Sequence, residues 1–96
     1  MTRTVVVRYR TRPDAADENE QLISAVFEEL AAAQPGGIRY FAVRVDEATF
    51  VHTAVIDSDT NPLDDLPAFK AFTSGIAGRC EEPPAPASGR LVGSYP

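Results

Sequence analysis

The chain has 96 residues, a formal net charge of −5, 44% hydrophobic and 24% charged residues, which fits one ordinary globular domain over 1–96 and leaves no basic surplus for the phosphate contacts behind nucleic-acid binding. Its single cysteine, Cys80, excludes an internal disulfide, and one cysteine with one histidine, His52, are too few for a zinc site, so no metal is expected. No apolar run approaches the roughly 18 residues of a membrane span and MTRTVVVRYR lacks a signal-peptide core, so a cytoplasmic protein with no membrane partner is expected.

RTVVVRYRT (Arg3–Thr11) is β-branched and aromatic and predicts a strand ended by Pro13. Val5, Val7 and Tyr9 share one face, and Val6, Arg8 and Arg10 the other. This alternation splits the run Arg3, Arg8, Arg10 and Arg12, so these arginines read as solvated positions. DAADENEQLISAVFEELAAAQPGG predicts a long helix. Asp17 with Glu20 resembles a capping box, Leu22, Ile23, Val26, Phe27 and Leu30 make an apolar stripe, and Pro35-Gly36-Gly37 stops it.

GIRYFAVRV and TFVHTAVID predict two strands of a hairpin joined through Asp46, Glu47, Ala48 and Thr49. In that register Val43 is the expected partner of His52. Both faces carry apolar residues, Phe41, Val43 and Val45 on one, Tyr40 and Ala42 on the other, so both faces are expected to be covered. LDDLPAFKAFTSGIAGRCEE predicts a second helix capped by Asp64 or Asp65, with Leu66, Phe69, Phe72 and Ile76 on one side and a weaker C-terminal half at Gly75 and Gly78. Residues 83–88, PPAPAS, read as a stiff connector and GRLVGSYP as a short final strand. The order is β-α-β-β-α-β, an α+β, ferredoxin-like arrangement with an antiparallel sheet.

Few motifs carry chemistry. DSDTN imitates the start of a calcium loop, but Pro62 and Ala68 stand where the loop needs glycine and glutamate. No serine lies on a nucleophile elbow, and no glycine-rich nucleotide fingerprint follows a strand. Glu81 and Glu82 beside Cys80 disfavour a reactive thiolate. What remains is a pocket-type set. Tyr9, Tyr40, His52 and Tyr95 are polar-tipped strand residues, and Phe27, Phe69 and Phe72 are helix aromatics. Together they predict an apolar cleft with a few convergent polar groups; the bland alternative is an aromatic core with tyrosines at strand ends.

VVVRYRTRP, the acidic helix, PGGIRYFAV, FVHTAVID, LPAFKAF and LVGSYP together resemble the antibiotic biosynthesis monooxygenase family of dimeric α+β barrels, over about the full length. The resemblance implies a homodimer joined through the open sheet face, with the last strand reaching the partner through Leu91 and Tyr95. It also implies a ligand cleft between sheet and helices, and chemistry on phenols, quinols or aromatic polyketides without a cofactor. Haem-degrading members carry an asparagine, a tryptophan and a histidine where Val7, Ile56 and either Leu63 or Ala68 stand here, so haem degradation is not expected. Ile56 takes the place of a pocket tryptophan, and Phe50, His52 and Ala54 share its face. His52 is then the candidate base that deprotonates a phenol, with Tyr9, Tyr40 or Tyr95 orienting it. The alternative is a non-catalytic module that binds a small ligand or only itself.

Overall fold

β-Branched residues and alternating polarity place Arg3–Thr11 in strand β1, and a computed structural model, which describes residues 2–96, continues with a 3-10 turn at Pro13–Ala15 and helix α1 over Ala16–Ala33. Strands β2 (Ile38–Arg44) and β3 (Thr49–Ile56) form the hairpin. A 3-10 turn at Pro62–Asp65 leads to helix α2 (Pro67–Ser74), a short helix α3 (Ile76–Arg79) and strand β4 (Cys80–Gly89). The sheet order is β2-β3-β1-β4 and every pair is antiparallel. This is the ferredoxin-like α+β architecture, with helices on one sheet face. The core between the layers is built from Tyr9, Ala16, Ile23, Val26, Phe50, Leu63, Leu66 and Phe72.

Helix α1 ends at Gln34, a left-handed residue (φ 47°) whose N–H donates to Leu30 O. Gly37 follows at φ +79°, where a Cβ would meet Asp57 O at 3.0 Å. Only glycine fits this close approach, and Asp57 N donates to Gly37 O at 2.7 Å. The β2–β3 turn is held by Asp46, whose carboxylate accepts from the N–H groups of Ala48 (2.9 Å) and Thr49 (2.8 Å). Those bonds favour the charged form and lower its pKa to about 2.

Several sequence expectations are corrected. Asp17 and Glu20 do not form a capping box; the 3-10 turn feeds the helix instead, and both carboxylates accept from Arg44 Nη1, at 3.1 and 3.0 Å. The second helix is not continuous through 82 but breaks at Gly75 and ends at Arg79. Asp64 and Asp65 do not cap it. Asn61 caps the preceding turn through Leu63 N, and Glu29 of α1 accepts from Ala68 N at 2.9 Å. His52 pairs with Ala42, not Val43, because the hairpin turn is one residue tighter in register.

The largest correction is the last strand. PPAPAS lies inside β4, and residues 90–96 carry no regular structure. β4 is an edge strand, where outward-facing prolines cost no ladder bond. Pro83 and Pro84 fall where the register against β1 shifts, between the pairs Arg10↔Glu82 and Arg8↔Ala85, so two prolines oppose one residue in a bulge. The 90–96 segment returns toward β2, where Arg39 donates to Ser94 Oγ at 3.3 Å and to Pro96 O at 3.4 Å.

On the face away from the helices Thr4 and Val55 are buried, but much of the apolar surface is open in the single chain. Val6, Phe41, Val43 and Val45 are exposed there. On the covered side the α1 stripe is graded: Ile23 and Val26 are buried, while Leu22, Phe27 and Leu30 are half-buried at its margin. Phe27→Ala is therefore expected to cost about 1.5–3 kcal/mol, less than the ~3–5 kcal/mol expected of Phe50→Ala, which empties a fully buried site. Urea denaturation of the two variants checks this order; equal losses would mean that Phe27 is core.

Candidate functional site

Strand parity turns Tyr9 of β1, Tyr40 of β2 and His52 of β3 to the helix-covered face, where β3 lies between the other two. His52 is buried and uses both ring nitrogens. Tyr9 Oη lies 2.8 Å from Nε2, and Tyr40 Oη lies 2.5 Å from Nδ1. The chain of bonds continues away from Tyr40. Asn19 Nδ2 donates to Tyr9 Oη at 2.9 Å, and Arg79 Nε donates to Asn19 Oδ1 at 3.0 Å. Arg79 also donates to Phe72 O at 2.7 Å and stands over the Phe72 ring, 5.5 Å from its centroid.

Beside this chain lies a cavity of about 340 Å³ between the sheet and the α2–α3 segment. Its sheet wall is Val5, Val7, Ala54 and Ile56, and its helix wall includes Phe69, Phe72 and Ile76. No charged side chain lines it. Its polar linings besides the Tyr–His–Tyr group are Asn61 and Thr73. The Thr73 hydroxyl is committed locally to Phe69 O and Lys70 O, whereas Asn61 uses only its amide oxygen, accepting from Leu63 N. Tyr9 is occupied by Asn19 and His52. The Tyr40 hydroxyl, bonded only to His52 Nδ1, thus keeps a bonding position for an occupant, as does the Asn61 amide at the margin.

Burial governs the titration of the group. Desolvation lowers the His52 pKa to about 4 and pushes Tyr9 up to about 12, the latter eased by the Asn19 hydrogen bond. Tyr40 is raised as well, by burial and then by the neighbouring Tyr9. At neutral pH all three are uncharged.

The structure brings Tyr9, Tyr40, His52, Ile56, Phe69 and Phe72 to one cavity. Phe27 stands behind, stacked on Tyr40 at 5.1 Å between centroids, and lines a separate open hollow with Leu30 and Ile38. Tyr95 is not among them. It is fully exposed in the C-terminal segment, because the strand expected to carry it inward ends at Gly89. Asn19 and Arg79 were missed by sequence reasoning. Asn19 falls on the α1 stripe four residues before Ile23 and seven before Val26, so a polar residue at a core position was the available signal. Among the described residues no three His, Cys, Asp or Glu side chains come together as a metal donor set, and no helix is long and apolar enough to cross a membrane.

A model of the antibiotic biosynthesis monooxygenase family matches residues 2–60, and the chain belongs to that family. Solved structures share the whole fold at low identity. Rv0793 from Mycobacterium tuberculosis superposes with a TM-score of 0.77 at 19% identity, covering 100% of both chains. The protein of unknown function NE2512 from Nitrosomonas europaea gives 0.75 at 19%, covering 99% of this chain and 94% of its own. A provisionally named antibiotic biosynthesis monooxygenase from Caulobacter crescentus CB15 gives 0.76 at 18%, covering 96% and 91%. No curated protein sequence matches the chain significantly.

The buried imidazole predicts a pH dependence. The folded pKa near 4 lies below the unfolded value near 6.5. Below pH 6.5 the unfolded chain therefore binds the extra proton, and stability falls as the pH drops toward 4. Between pH 7 and pH 5, above the carboxylate range, the loss should be about 2 kcal/mol. Denaturation at the two pH values checks it. His52→Phe should remove most of the difference, since His52 is the only histidine.

Proposed function

We propose that the chain is a monooxygenase-like protein that takes a small, uncharged aromatic molecule of the phenol, quinol or polyketide type into the cavity and acts on it without a cofactor. The observation that carries this is an apolar, charge-free cavity of about 340 Å³ in which the Tyr40 hydroxyl, bonded only to His52, keeps a position for a ligand. A cavity of that size suits two or three fused rings, and a single fixed polar contact gives orientation. Phe69 and Phe72 offer ring faces for the aromatic body.

The chemistry centres on Tyr40 rather than on direct proton abstraction by His52. Both His52 nitrogens are engaged, and its pKa is near 4. Taking a proton from a phenol of pKa about 10 would cost roughly 8 kcal/mol at six pK units. A hydroxyl held by a neutral imidazole is better suited to donate to the ligand oxygen as negative charge builds there. The electron-rich ring then reduces dioxygen itself: a ring C–O bond forms, the phenolic proton passes to the outer oxygen to give a hydroperoxide, and loss of water leaves a quinone. His52 in this scheme positions Tyr40. The same saturation of His52 favours the second reading, a non-catalytic module that binds a small ligand in the same cavity.

Calorimetric titration with 1-naphthol and oxygen uptake separate the two. In the oxygenase, Tyr40→Phe should weaken binding about tenfold and lower turnover about 10²–10³-fold. Binding with no oxygen uptake above the uncatalysed rate supports the module. Absence of binding to the unmodified protein sinks both.

The uncovered sheet face supports a homodimer. Val6, Phe41, Val43 and Val45 form an exposed apolar strip of the kind that obligate interfaces bury. Leu91 and Tyr95, exposed in the segment after β4, are available to extend the contact to the partner copy. Light scattering at low micromolar concentration should give a dimer, and Val43→Lys should shift it toward monomer. A stable monomer for the unmodified protein would rule this out.

A further inference from the structure

The hydrogen bonds from Arg79 to Tyr40 run in one direction. A guanidinium only donates, so the Asn19 atom facing Arg79 Nε at 3.0 Å is the amide oxygen. The Asn19 NH₂ must then face Tyr9, and Tyr9 Oη accepts at 2.9 Å. With that bond accepted, the Tyr9 proton is free for His52 Nε2 at 2.8 Å. A neutral imidazole that accepts at Nε2 carries its proton on Nδ1, which donates to Tyr40 Oη at 2.5 Å. The Tyr40 proton is left for the cavity. The opposite order would leave the Tyr9 proton without a partner at a residue only 2% exposed, a costly arrangement.

We infer that Arg79, through Asn19 and Tyr9, sets His52 in its Nδ1–H tautomer and makes Tyr40 a hydrogen-bond donor toward the cavity, so that the site selects ligands offering an acceptor oxygen, a carbonyl or the lone pair of a hydroxyl, over ligands offering only a donor. Arg79 and Asn19 are positioning residues here, and Tyr40 is the specificity-determining contact. Arg79 is suited to the part. It is buried, has no carboxylate within ion-pair distance among the described residues, and is pinned by bonds to Asn19 and Phe72. Gly75 makes room for it: a Cβ there would lie 2.8 Å from Arg79 Nη1. Asn19 is fully buried, so no water competes for its amide. The selectivity rests on the cavity being the ligand site; the tautomer does not.

The test combines imidazole nitrogen NMR at pH 8 with three isosteric probes: 1-indanone (acceptor only), indole (donor only) and indene (neither). The unmodified protein should show the Nδ1–H tautomer and bind 1-indanone about tenfold more tightly than indene, with indole no tighter than indene. Asn19→Asp should reverse the chain, since a carboxylate accepts from both Arg79 and Tyr9. His52 then carries its proton on Nε2, Tyr40 donates to Nδ1, and the preference passes to indole. Tyr40→Phe should erase all preference. An Nε2–H tautomer in the unmodified protein overturns the inference, and that spectrum decides even if Asn19→Asp does not fold. A folded Asn19→Asp with an unchanged tautomer also overturns it. If none of the three probes binds the unmodified protein, the ligand-site reading and the selectivity fail together, and the tautomer is still judged by its own spectrum.

Discussion

The buried polar chain Arg79–Asn19–Tyr9–His52–Tyr40 is the constraint on which the other features depend. It draws one side chain from each of α3, α1, β1, β3 and β2, so it crosses from the helical layer into three of the four strands. Buried polar groups of this kind are costly when unpaired and strong when fully paired. Here every member has a partner, and among the described residues no buried side-chain nitrogen or oxygen is left without one. Truncating any link exposes its neighbour to the penalty of an unmet bond, about 1–3 kcal/mol in a buried setting. The layers are therefore held at a fixed offset by bonds with geometry, not only by apolar contact, and the cavity beside the chain keeps its shape.

The cavity survives because its sheet wall is small. Val5, Val7 and Ala54 project where longer side chains would fill the gap, and Gly75, at the α2–α3 break, leaves room for the inward Arg79 side chain. A domain of this size gives up stability by leaving such space, since apolar void forfeits dispersion contacts. The proposed ligand role gives that sacrifice a use. The chain's acidity is kept out of it. Asp17 and Glu20 are drawn to Arg44, Asp46 to its own turn and to Arg10, so no carboxylate lines the cavity in a protein of net charge −5.

Much of this was legible from residue order. β1, α1 and the hairpin announce themselves because their periodicity coincides with burial on a single face, and parity alone turns His52 inward with Ala54 and Ile56. Legibility fails where tertiary context overrides local preference. A proline-rich stretch reads as a connector in isolation, yet at a sheet edge with a bulge it pairs as a strand. Asp17 and Glu20 satisfy a local capping pattern but find a stronger partner in Arg44, distant in sequence. The chain behind His52 was hidden because its members lie as far apart as Asn19 and Arg79, and nothing local in Arg79 marks it as an inward residue.

Both faces of the sheet depend on the same hairpin register. With Ala42 opposite His52 and Tyr40 opposite Ala54, the inward row of β2 is Ile38, Tyr40 and Ala42, and the outward row is Arg39, Phe41 and Val43. A one-residue slip would exchange the rows. Phe41 and Val43 would enter the cavity side, Tyr40 would leave His52, and Ile38, Tyr40 and Ala42 would take the place of the outer strip. What prevents the slip lies at the hairpin end. Asp46 binds the backbone of Ala48 and Thr49, Val45 N donates to Thr49 O at 2.9 Å, and Arg44 is tied to α1 through Asp17 and Glu20. An exposed turn far from the cavity thus fixes both which residues line the inner cavity and which form the exposed outer strip.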